Sequence, residues 1–267
     1  MYRQQRLILQ QSKDLRNKIV NPLVGLSPLE LELLLDQILV GDNVQRNVDL
    51  EKDTSLEGEN NSFAYSSFDT SSVKGKISRK QYLETPQVFV EKGEEGYSTK
   101  YNPTIDERIS EKLAQLKETE QDKMALKISK ARLWIVEQQL AIVRYICETQ
   151  DRYLQTRNPL DLESLSQQDI ADHIEYSLTT VNRLIKNVSV QLPDGQIIFA
   201  DELIPGATIT TQKGIYALRQ LMEDPMIYGD GEWKVPDSGL VPILRDRFGI
   251  KAVRRTVAKY RGRLTHQ

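Results

Sequence analysis

The chain has 267 residues, of which 28% are charged and 39% are hydrophobic, and its formal net charge at pH 7 is −2. This length suits two or three small domains with modest cores, and no apolar run approaches the roughly 20 residues of a membrane span. The single cysteine, Cys147, excludes an internal disulfide, and the N-terminus lacks the apolar segment of a secretory signal. We therefore expect a cytoplasmic protein without membrane contact and with a reduced, buried thiol.

The first strong helical pattern covers residues 26–43, after a loosely helical stretch at residues 1–20. Ser27, Pro28 and Glu30 predict its N-cap, N1 and N3 positions, and the helix is expected to end near residue 41. One stripe of this helix is apolar: Leu31, Leu34, Leu35 and Ile38. The stripe fits ordinary packing, but it also fits binding to a partner, because the acidic segment that follows offers it little to pack on.

The middle of the chain changes from a polar segment to a folded one. Residues 48–78 are rich in Ser, Glu, Asp, Asn and Gly and predict a disordered acidic linker. Residues 81–103 contain alternating valines around a turn at 93–96, which predicts a β-hairpin. A helical pattern then runs over residues 105–156.

Residues 164–187 have the pattern of a helix-turn-helix. Ser166 and Asp169 predict a capping box at the start of the first helix, and residues 175–177 form the turn. The inner faces are apolar: Leu165, Ile170, Ala171, Ile174, Val181, Leu184 and Ile185. Five residues project outward from the second helix, where DNA contacts arise in this motif: Thr179, Thr180, Asn182, Arg183 and Lys186. The spacing alone leaves a plain three-helix domain open.

Residues 205–264 predict a small C-terminal domain with three helices. The first is expected to be capped by Thr211, residues 224–239 form a loop, and a short helix covers residues 241–248. The last helix has two faces at helical periodicity. Its inward face contains Val253, Thr256, Val257, Tyr260 and Leu264, and its outward face contains Arg254, Arg255, Ala258, Lys259 and Arg261.

The outward face of this last helix fits the major groove of DNA. Arginine can pair with both O6 and N7 of one guanine, while a lysine or arginine one turn further on can hold a phosphate. The small side chain of Ala258 lets the helix backbone approach a groove floor. A basic C-terminal patch on an acidic chain is an electrostatic footprint for phosphate, although on charge alone a solvated helix face is the better explanation.

Residues 253–262, VRRTVAKYRG, resemble the ten-residue signature ARRTVAKYRE, the RpoN box, of the sigma-54 family of bacterial RNA polymerase sigma factors. We call these residues the signature box. Arg254 through Arg261 match without interruption, while Val253 replaces Ala and Gly262 replaces Glu. The resemblance implies that the last helix reads the GG promoter element, which is the element farther from the start site. The implied contact residues are Arg254, Arg255, Thr256, Ala258, Lys259 and Arg261.

The helix-turn-helix is similar to the HESTVSR element of the same family, which reads the GC promoter element near the start site. Thr180, Val181 and Arg183 match this element, whereas Leu178 replaces Glu and Asn182 replaces Ser. The resemblance assigns the five outward residues of the second helix to this proximal element.

Weaker similarities cover the rest of the chain. Residues 26–43 resemble the family's activator-responsive region, and residues 81–156 resemble a shortened form of its core-polymerase-binding domain. The expected fold is mainly α, with N-terminal helices, an acidic linker, a helical core-binding remnant with a β-hairpin, a helix-turn-helix and a small helical C-terminal RpoN-box DNA-binding domain. The expected boundaries of these five parts are 1–47, 48–80, 81–160, 161–205 and 206–267.

The family resemblance implies a transcription initiation factor that binds core RNA polymerase and directs it to promoter DNA with GG and GC elements. Promoter opening would then depend on a separate ATP-driven activator, which the stripe on the N-terminal helix would contact. The short middle region keeps an alternative open, namely a DNA-binding competitor or repressor that no longer engages polymerase. An unrelated all-α interaction protein would require the signature match to be chance.

The sequence shows no sign of enzyme chemistry. The only histidines, His173 and His266, have no metal-ligand spacing, and no glycine-rich loop followed by lysine is present. No serine or cysteine has a motif-supported base. We expect no enzyme activity, no cofactor and no metal site.

Overall fold

The computed structural model describes residues 23–24, 26–40, 70, 72–117 and 122–264, and these residues are mainly helical. The helices are α1 (Pro28–Val40), α2 (Arg79–Glu84), α3 (Pro103–Lys117), α4 (Asp122–Thr149), α5 (Asp151–Thr156), α6 (Gln167–Ile174), α7 (Leu178–Ile185), α8 (Ile209–Leu221), α9 (Asp237–Phe248) and α10 (Arg254–Leu264). The strands are β1 (Val88–Gly93), β2 (Gly96–Tyr101), β3 (Ser189–Gln191), β4 (Ile197–Phe199), β5 (Tyr228–Gly229) and β6 (Glu232–Trp233). Short 3-10 turns cover Pro159–Asp161, Ala200–Leu203 and Gly206–Thr208.

The described residues form two compact units, and the division differs from the expected domain boundaries. The first unit contains the described residues up to Tyr145 together with Ala171–Asp201. The second contains Ile146–Ile170 and the described residues from Glu202 onward. The expected border at residue 205 lies four residues from the unit border after Asp201, whereas the expected border at residue 161 lies inside the second unit.

Helix α1 begins as its sequence predicts. The Ser27 Oγ accepts a hydrogen bond from the Glu30 backbone N–H at 3.2 Å, and the Glu30 carboxylate accepts one from the Ser27 N–H at 2.8 Å. This reciprocal pair is a capping box, which satisfies two backbone donors that the first helical turn leaves free. The predicted helix start is confirmed, while its predicted end at residue 41 lies outside the described residues.

Of the two interpretations of the apolar stripe on α1, ordinary packing is the one that the structure shows. Helix α1 packs against α3 in the first unit, and ion pairs join Glu32 to Arg108 at 3.2 Å and Asp36 to Lys112. All four side chains of the stripe are buried: Leu31, Leu34, Leu35 and Ile38. Helix α3, which is far along the chain, packs against α1.

The predicted linker is shorter at its C-terminal end than its composition suggests. Val73 is buried, the Gly75 N–H donates to Glu30 Oε1 at 2.8 Å, and the Ser72 hydroxyl donates to Gln37 Oε1 at 2.8 Å. Residues 72–75 thus form a turn held to α1, and α2 follows at residues 79–84. Residues 1–20 and 48–69, for which a loose helix and a disordered linker were predicted, lie outside the described residues.

The predicted hairpin is confirmed, but it belongs to a larger sheet. Strands β1 and β2 pair antiparallel from Val88↔Tyr101 to Gly93↔Gly96. Strand β3 then pairs parallel with β1, and β4 pairs antiparallel with β3, which gives the order β2-β1-β3-β4. The sheet joins the middle of the chain to the segment that follows α7, which explains why the first unit crosses the expected boundary at residue 160.

The second unit has a core formed by α8, α9 and α10, which contains Ala217, Leu218, Leu221, Ile227, Leu240, Leu244, Ile250, Val257 and Tyr260. Helix α8 begins at Ile209 instead of being capped by Thr211, which lies inside its first turn. The predicted loop at 224–239 contains the small β5–β6 hairpin, and α9 begins at Asp237, with Pro242 inside it, instead of at residue 241.

Two further expectations concern the whole chain. The Cys147 thiol is free and buried, as predicted, and burial raises its pKa to about 12, so it stays protonated and unreactive near neutral pH. In the part of the chain that the structure describes, no helix combines the length and apolar character needed to cross a bilayer.

Candidate nucleic-acid interface

Helix α10, which contains most of the signature box, packs against the rest of the second unit through two side chains. Val257 and Tyr260 are both buried. The Tyr260 ring lies directly over Gly214 of α8, where an added Cβ would come within 2.6 Å of the ring carbon Cδ2. The Tyr260 hydroxyl donates to the Thr210 carbonyl at 3.3 Å. Only glycine at position 214 lets α8 and α10 approach this closely.

The outward face of α10 is open as predicted. Arg254, Arg255, Ala258 and Lys259 are all exposed. None of the three cations is within ion-pair distance of a carboxylate among the residues that the structure describes. Their charges are therefore available to an external anion, and the small Ala258 lies between them.

Arg261 is not part of this open face. Its guanidinium forms an ion pair with the Asp237 carboxylate in the first turn of α9, and it lies 5.2 Å from the ring centroid of Trp233. The side chain is half-buried by these contacts. The structure thus corrects the sequence-based placement of Arg261 on the outward face, because a carboxylate distant in sequence holds it at the side of the domain.

Val253 is also placed differently from the prediction. It was expected on the packing face, yet it is 65% exposed. Its carbonyl accepts hydrogen bonds from the N–H groups of Thr256 at 2.8 Å and Val257 at 3.1 Å, which close the first turn of α10. Because the helix proper begins at Arg254, the periodicity that places Val257 and Tyr260 inward does not extend to Val253. Thr256 is half-buried.

The helix-turn-helix begins with the predicted capping box. The Ser166 Oγ accepts from the Asp169 N–H at 3.2 Å, and the Asp169 carboxylate accepts from the Ser166 hydroxyl and N–H, both at 2.7 Å. These hydrogen bonds, first that from the hydroxyl, lower the pKa of Asp169. The carboxylate is thus held ionised beside the positive end of α6.

The turn between α6 and α7 is made without glycine. Glu175 takes a left-handed backbone conformation with φ +56°, which is uncommon for a residue with a side chain. The Tyr176 N–H donates back to the Ala171 carbonyl at 3.1 Å, which closes the end of α6. Ser177 then caps α7, accepting from the Thr180 N–H at 3.2 Å.

Four of the five predicted outward residues of this motif are exposed: Thr179, Asn182, Arg183 and Lys186. Lys186 follows the last helical residue as the C-cap. Thr180 is half-buried, and its hydroxyl lies 2.8 Å from the Ser177 Oγ. The structure thus gives Thr180 a role in closing the first turn of α7, which spacing alone did not reveal. The inner residues Val181, Leu184 and Ile185 are buried as predicted.

A comparison with models of protein families matches the part of the chain that contains α7 and α10. The family model for the sigma-54 DNA-binding domain matches residues 118–266, more than half of the 267 residues. The chain belongs to the sigma-54 family. No curated protein gives a significant match to it.

The sigma-54 match covers both exposed helices, α7 and α10, and gives this chain a DNA-binding role in a family of transcription factors. Residues up to 117, which contain α1, α2, the β1–β2 hairpin and α3, lie outside the matched range. Among the described residues, no three His, Cys, Asp or Glu side chains converge to hold a metal ion.

The supports of the sigma-54 helix-turn-helix were not predicted from the sequence. The Gln139 amide of α4 donates to the Leu184 carbonyl at 2.9 Å, and Trp134 packs edge-on against Tyr176 with centroids 5.6 Å apart. The rings of Tyr145 and His173 stack at 3.8 Å. The polar and aromatic residues along α4 are the signal for this contact, but spacing within α4 cannot name partners that are some 30 to 45 residues away in sequence.

Proposed function

We propose that this sigma-54 family member is a transcription initiation factor that recognises promoter DNA at two elements. Helix α10 would read the distal GG element through Arg254 and Arg255, with Lys259 on a phosphate. Helix α7 would read the proximal GC element through Thr179, Asn182 and Arg183, with Lys186 on the backbone. The observation that carries this proposal is the open cationic face of α10, on which Arg254, Arg255 and Lys259 surround a small alanine.

Two of the predicted DNA contacts take a different place in this proposal. Arg261 supports α10 through Asp237 instead of contacting phosphate, since its guanidinium is already paired. Thr180 supports the first turn of α7 through Ser177. The proposal therefore rests on fewer base-contacting residues than the sequence alone suggested.

The DNA-binding part is tested by titrating the full chain with three duplexes. One duplex carries both elements, one lacks GG and one lacks GC. We expect each single loss to weaken binding, because specific contacts at either element are removed while phosphate contacts remain. Equal binding to all three duplexes at 0.15 M salt would leave only nonspecific charge attraction and would overturn the proposal.

Delivery of core RNA polymerase and dependence on an ATP-driven activator belong to the same proposal. Two observations support a polymerase contact on α4: Leu126 and Leu133 are both exposed, and they lie seven residues apart on one side of the helix. Apolar anchors seven residues apart on one helix face are a spacing that helix-in-groove contacts use. In this proposal the full chain forms a complex with core polymerase through α4.

The polymerase contact is tested by size exclusion of the full chain with core polymerase at micromolar concentration. We expect co-elution, and we expect the double variant Leu126→Asp, Leu133→Asp to elute separately while binding promoter DNA normally. Met226→Asp is the matched control, because Met226 is an exposed apolar residue of the second unit, with no role in this contact.

The alternative function, a DNA-binding competitor or repressor, is favoured by one observation on α1. The stripe that would respond to an activator is buried against α3, so in this conformation it offers no surface to a partner. A chain that binds the two-element duplex but fails to co-elute with core polymerase would support the competitor and contradict the initiation factor.

A further inference from the structure

Helices α7 and α10, which the proposal assigns to DNA, share a feature at their N-terminal ends. Among the described residues, the large hydrophobic side chains that remain exposed are Leu126, Leu133, Leu178, Met226 and Val253. Leu178 is 46% exposed and is the first residue of α7, and Val253 is 65% exposed and directly precedes α10. Single exposed apolar residues are common on proteins, but these two occur at equivalent ends of the two helices that the DNA-binding proposal uses.

Leu178 lies at the edge of the exposed face of α7, between the buried face and the polar residues proposed to contact DNA. Asn182 and Lys186 follow it at spacings of four and eight residues on the exposed side, while the buried Val181 and Ile185 follow at three and seven. Because Leu178 is 46% exposed, it remains accessible at this edge. Because the N-terminal residues of a recognition helix contact base edges, Leu178 would meet a base before the residues further along α7.

Val253 has the corresponding place beside Arg254 and Arg255. Its backbone carbonyl closes the first turn of α10, so its position relative to that helix is fixed. Its side chain stays in solvent although the core residues Val257 and Tyr260 lie close by in sequence. An aliphatic side chain that is anchored in this way next to two base-reading arginines would share their access to the groove.

An aliphatic side chain has a narrow choice of partners in the major groove. It neither donates nor accepts hydrogen bonds, so it gains nothing from the polar edges of guanine, adenine or cytosine. The C5 methyl group of thymine is the apolar group that the major groove presents, and apolar side chains contact it in known complexes.

We propose that Leu178 and Val253 each contact a thymine methyl group in the major groove, Leu178 beside the proximal element and Val253 beside the distal one. Both residues are thus specificity-determining: they select thymine at one position each, in addition to the hydrogen bonds made by their polar neighbours. This inference rests on the proposed DNA-binding function, because it requires both helices to enter the major groove.

The experiment removes the methyl group from the DNA. The probe is the tightest duplex that the full chain selects from a pool randomised around the GG and GC elements, and each thymine in it is replaced in turn by deoxyuridine, which lacks only the methyl. We expect one position near each element where this change weakens binding by about threefold, the effect of losing the burial of one methyl group. The salt dependence should not change, because no charge is removed.

Variants assign each position to its residue. With Leu178→Ala, the deoxyuridine effect near the GC element should disappear while that near the GG element remains. Val253→Ala should give the reverse result. Met226→Ala is the matched control and should leave both effects as they are in the unmodified chain.

The outcomes separate this inference from the function on which it rests. If the chain still discriminates the GG and GC elements but no deoxyuridine position weakens binding, or if the alanine variants keep both effects, the thymine contacts are overturned and the proposed function stands. If the chain does not discriminate the elements at all, both the function and the thymine contacts are overturned.

Discussion

In the proposal, helices α7 and α10 present two different surfaces to DNA. The open face of α10 carries three cations, Arg254, Arg255 and Lys259, whereas the face of α7 carries two, Arg183 and Lys186, beside the polar Thr179 and Asn182. Counterion release scales with the number of phosphates neutralised, so α10 should supply more of the salt-dependent affinity. Helix α7 should contribute more through hydrogen bonds and shape. The proposal therefore predicts different shares of charge attraction and hydrogen bonding at the two elements.

The packing contacts that hold the two helices in place differ as well. Helix α10 rests on a close approach between Tyr260 and Gly214, which leaves no room for a side chain. Helix α7 is supported by α4, through the Gln139 amide and the ring of Trp134 against Tyr176. A close backbone approach tolerates little change, while a contact made by long side chains can adjust.

The largest expected effect is on the packing of α10 against α8. In Gly214→Ala the added methyl group would clash with the Tyr260 ring, so we expect a loss of about 3 kcal/mol or more in the free energy of unfolding of the second unit. Binding to the GG element should be lost with it. Urea unfolding followed by circular dichroism measures the change.

Gly262→Ala in α10 is the matched control for the contact between Tyr260 and Gly214. No atom lies within 4 Å of the added Cβ, so the variant should gain up to about 1 kcal/mol from better helix propensity. Similar stabilities of the two variants would mean that the approach of Tyr260 to Gly214 does not constrain the domain.

Arg255→Ala tests whether α10 reads sequence. We expect a loss of about 1–3 kcal/mol on a duplex with the GG element and a much smaller loss on one without it, since a bidentate guanine contact is removed. Binding titrations on both duplexes measure the difference. Equal losses would mean that Arg255 only neutralises phosphate, which would remove the main distinction between α10 and α7.

Lys259→Ala tests the charge contribution of the same face. The loss should be equal on the matched and mismatched duplexes, and the slope of log K against log salt should fall in magnitude by about 0.9, the value for one phosphate contact. Titrations at several salt concentrations measure the slope. A similar drop for Asn182→Ala on α7 would contradict the contrast between the two faces, because Asn182 carries no charge.

The smallest expected effect is that of Arg261→Ala. The Arg261–Asp237 pair is partly exposed, so its loss should cost no more than about 1 kcal/mol of stability. Because the guanidinium is already paired, the salt slope of DNA binding should stay unchanged. A slope reduced as in Lys259→Ala would show that Arg261 leaves Asp237 and contacts phosphate, as the sequence alone suggested.

Local signals in the sequence were sufficient for much of the site. The capping boxes at Ser27 and Ser166, the β1–β2 hairpin, the two helices of the helix-turn-helix and the inward placement of Val257 and Tyr260 all depend on residues within a few positions of one another. Such short-range rules of capping, turn formation and periodicity do not need the rest of the fold.

The misplaced residues have long-range partners or lie at helix ends. Periodicity places Arg261 on the open face, since the pattern of one helix does not reveal a partner such as Asp237, 24 positions earlier. The same periodicity places Val253 on the packing face, although the helix begins only at Arg254. Spacing presents Thr180 as a DNA contact, but its hydroxyl lies within hydrogen-bond distance of the capping Ser177.

The sequence by itself determined the family, through the uninterrupted match from Arg254 to Arg261. It also determined most of the exposed face of α7 and of α10, because amphipathic periodicity is a property of each segment. Only the tertiary structure decided what covers the stripe on α1, which strands join β1, and why position 214 must be glycine. These features arise where segments far apart in the chain meet: α3 on α1, β3 beside β1, and Tyr260 over Gly214. A single segment does not specify its distant neighbours, since many partners can bury the same apolar surface, and the packing of the whole chain selects one of them.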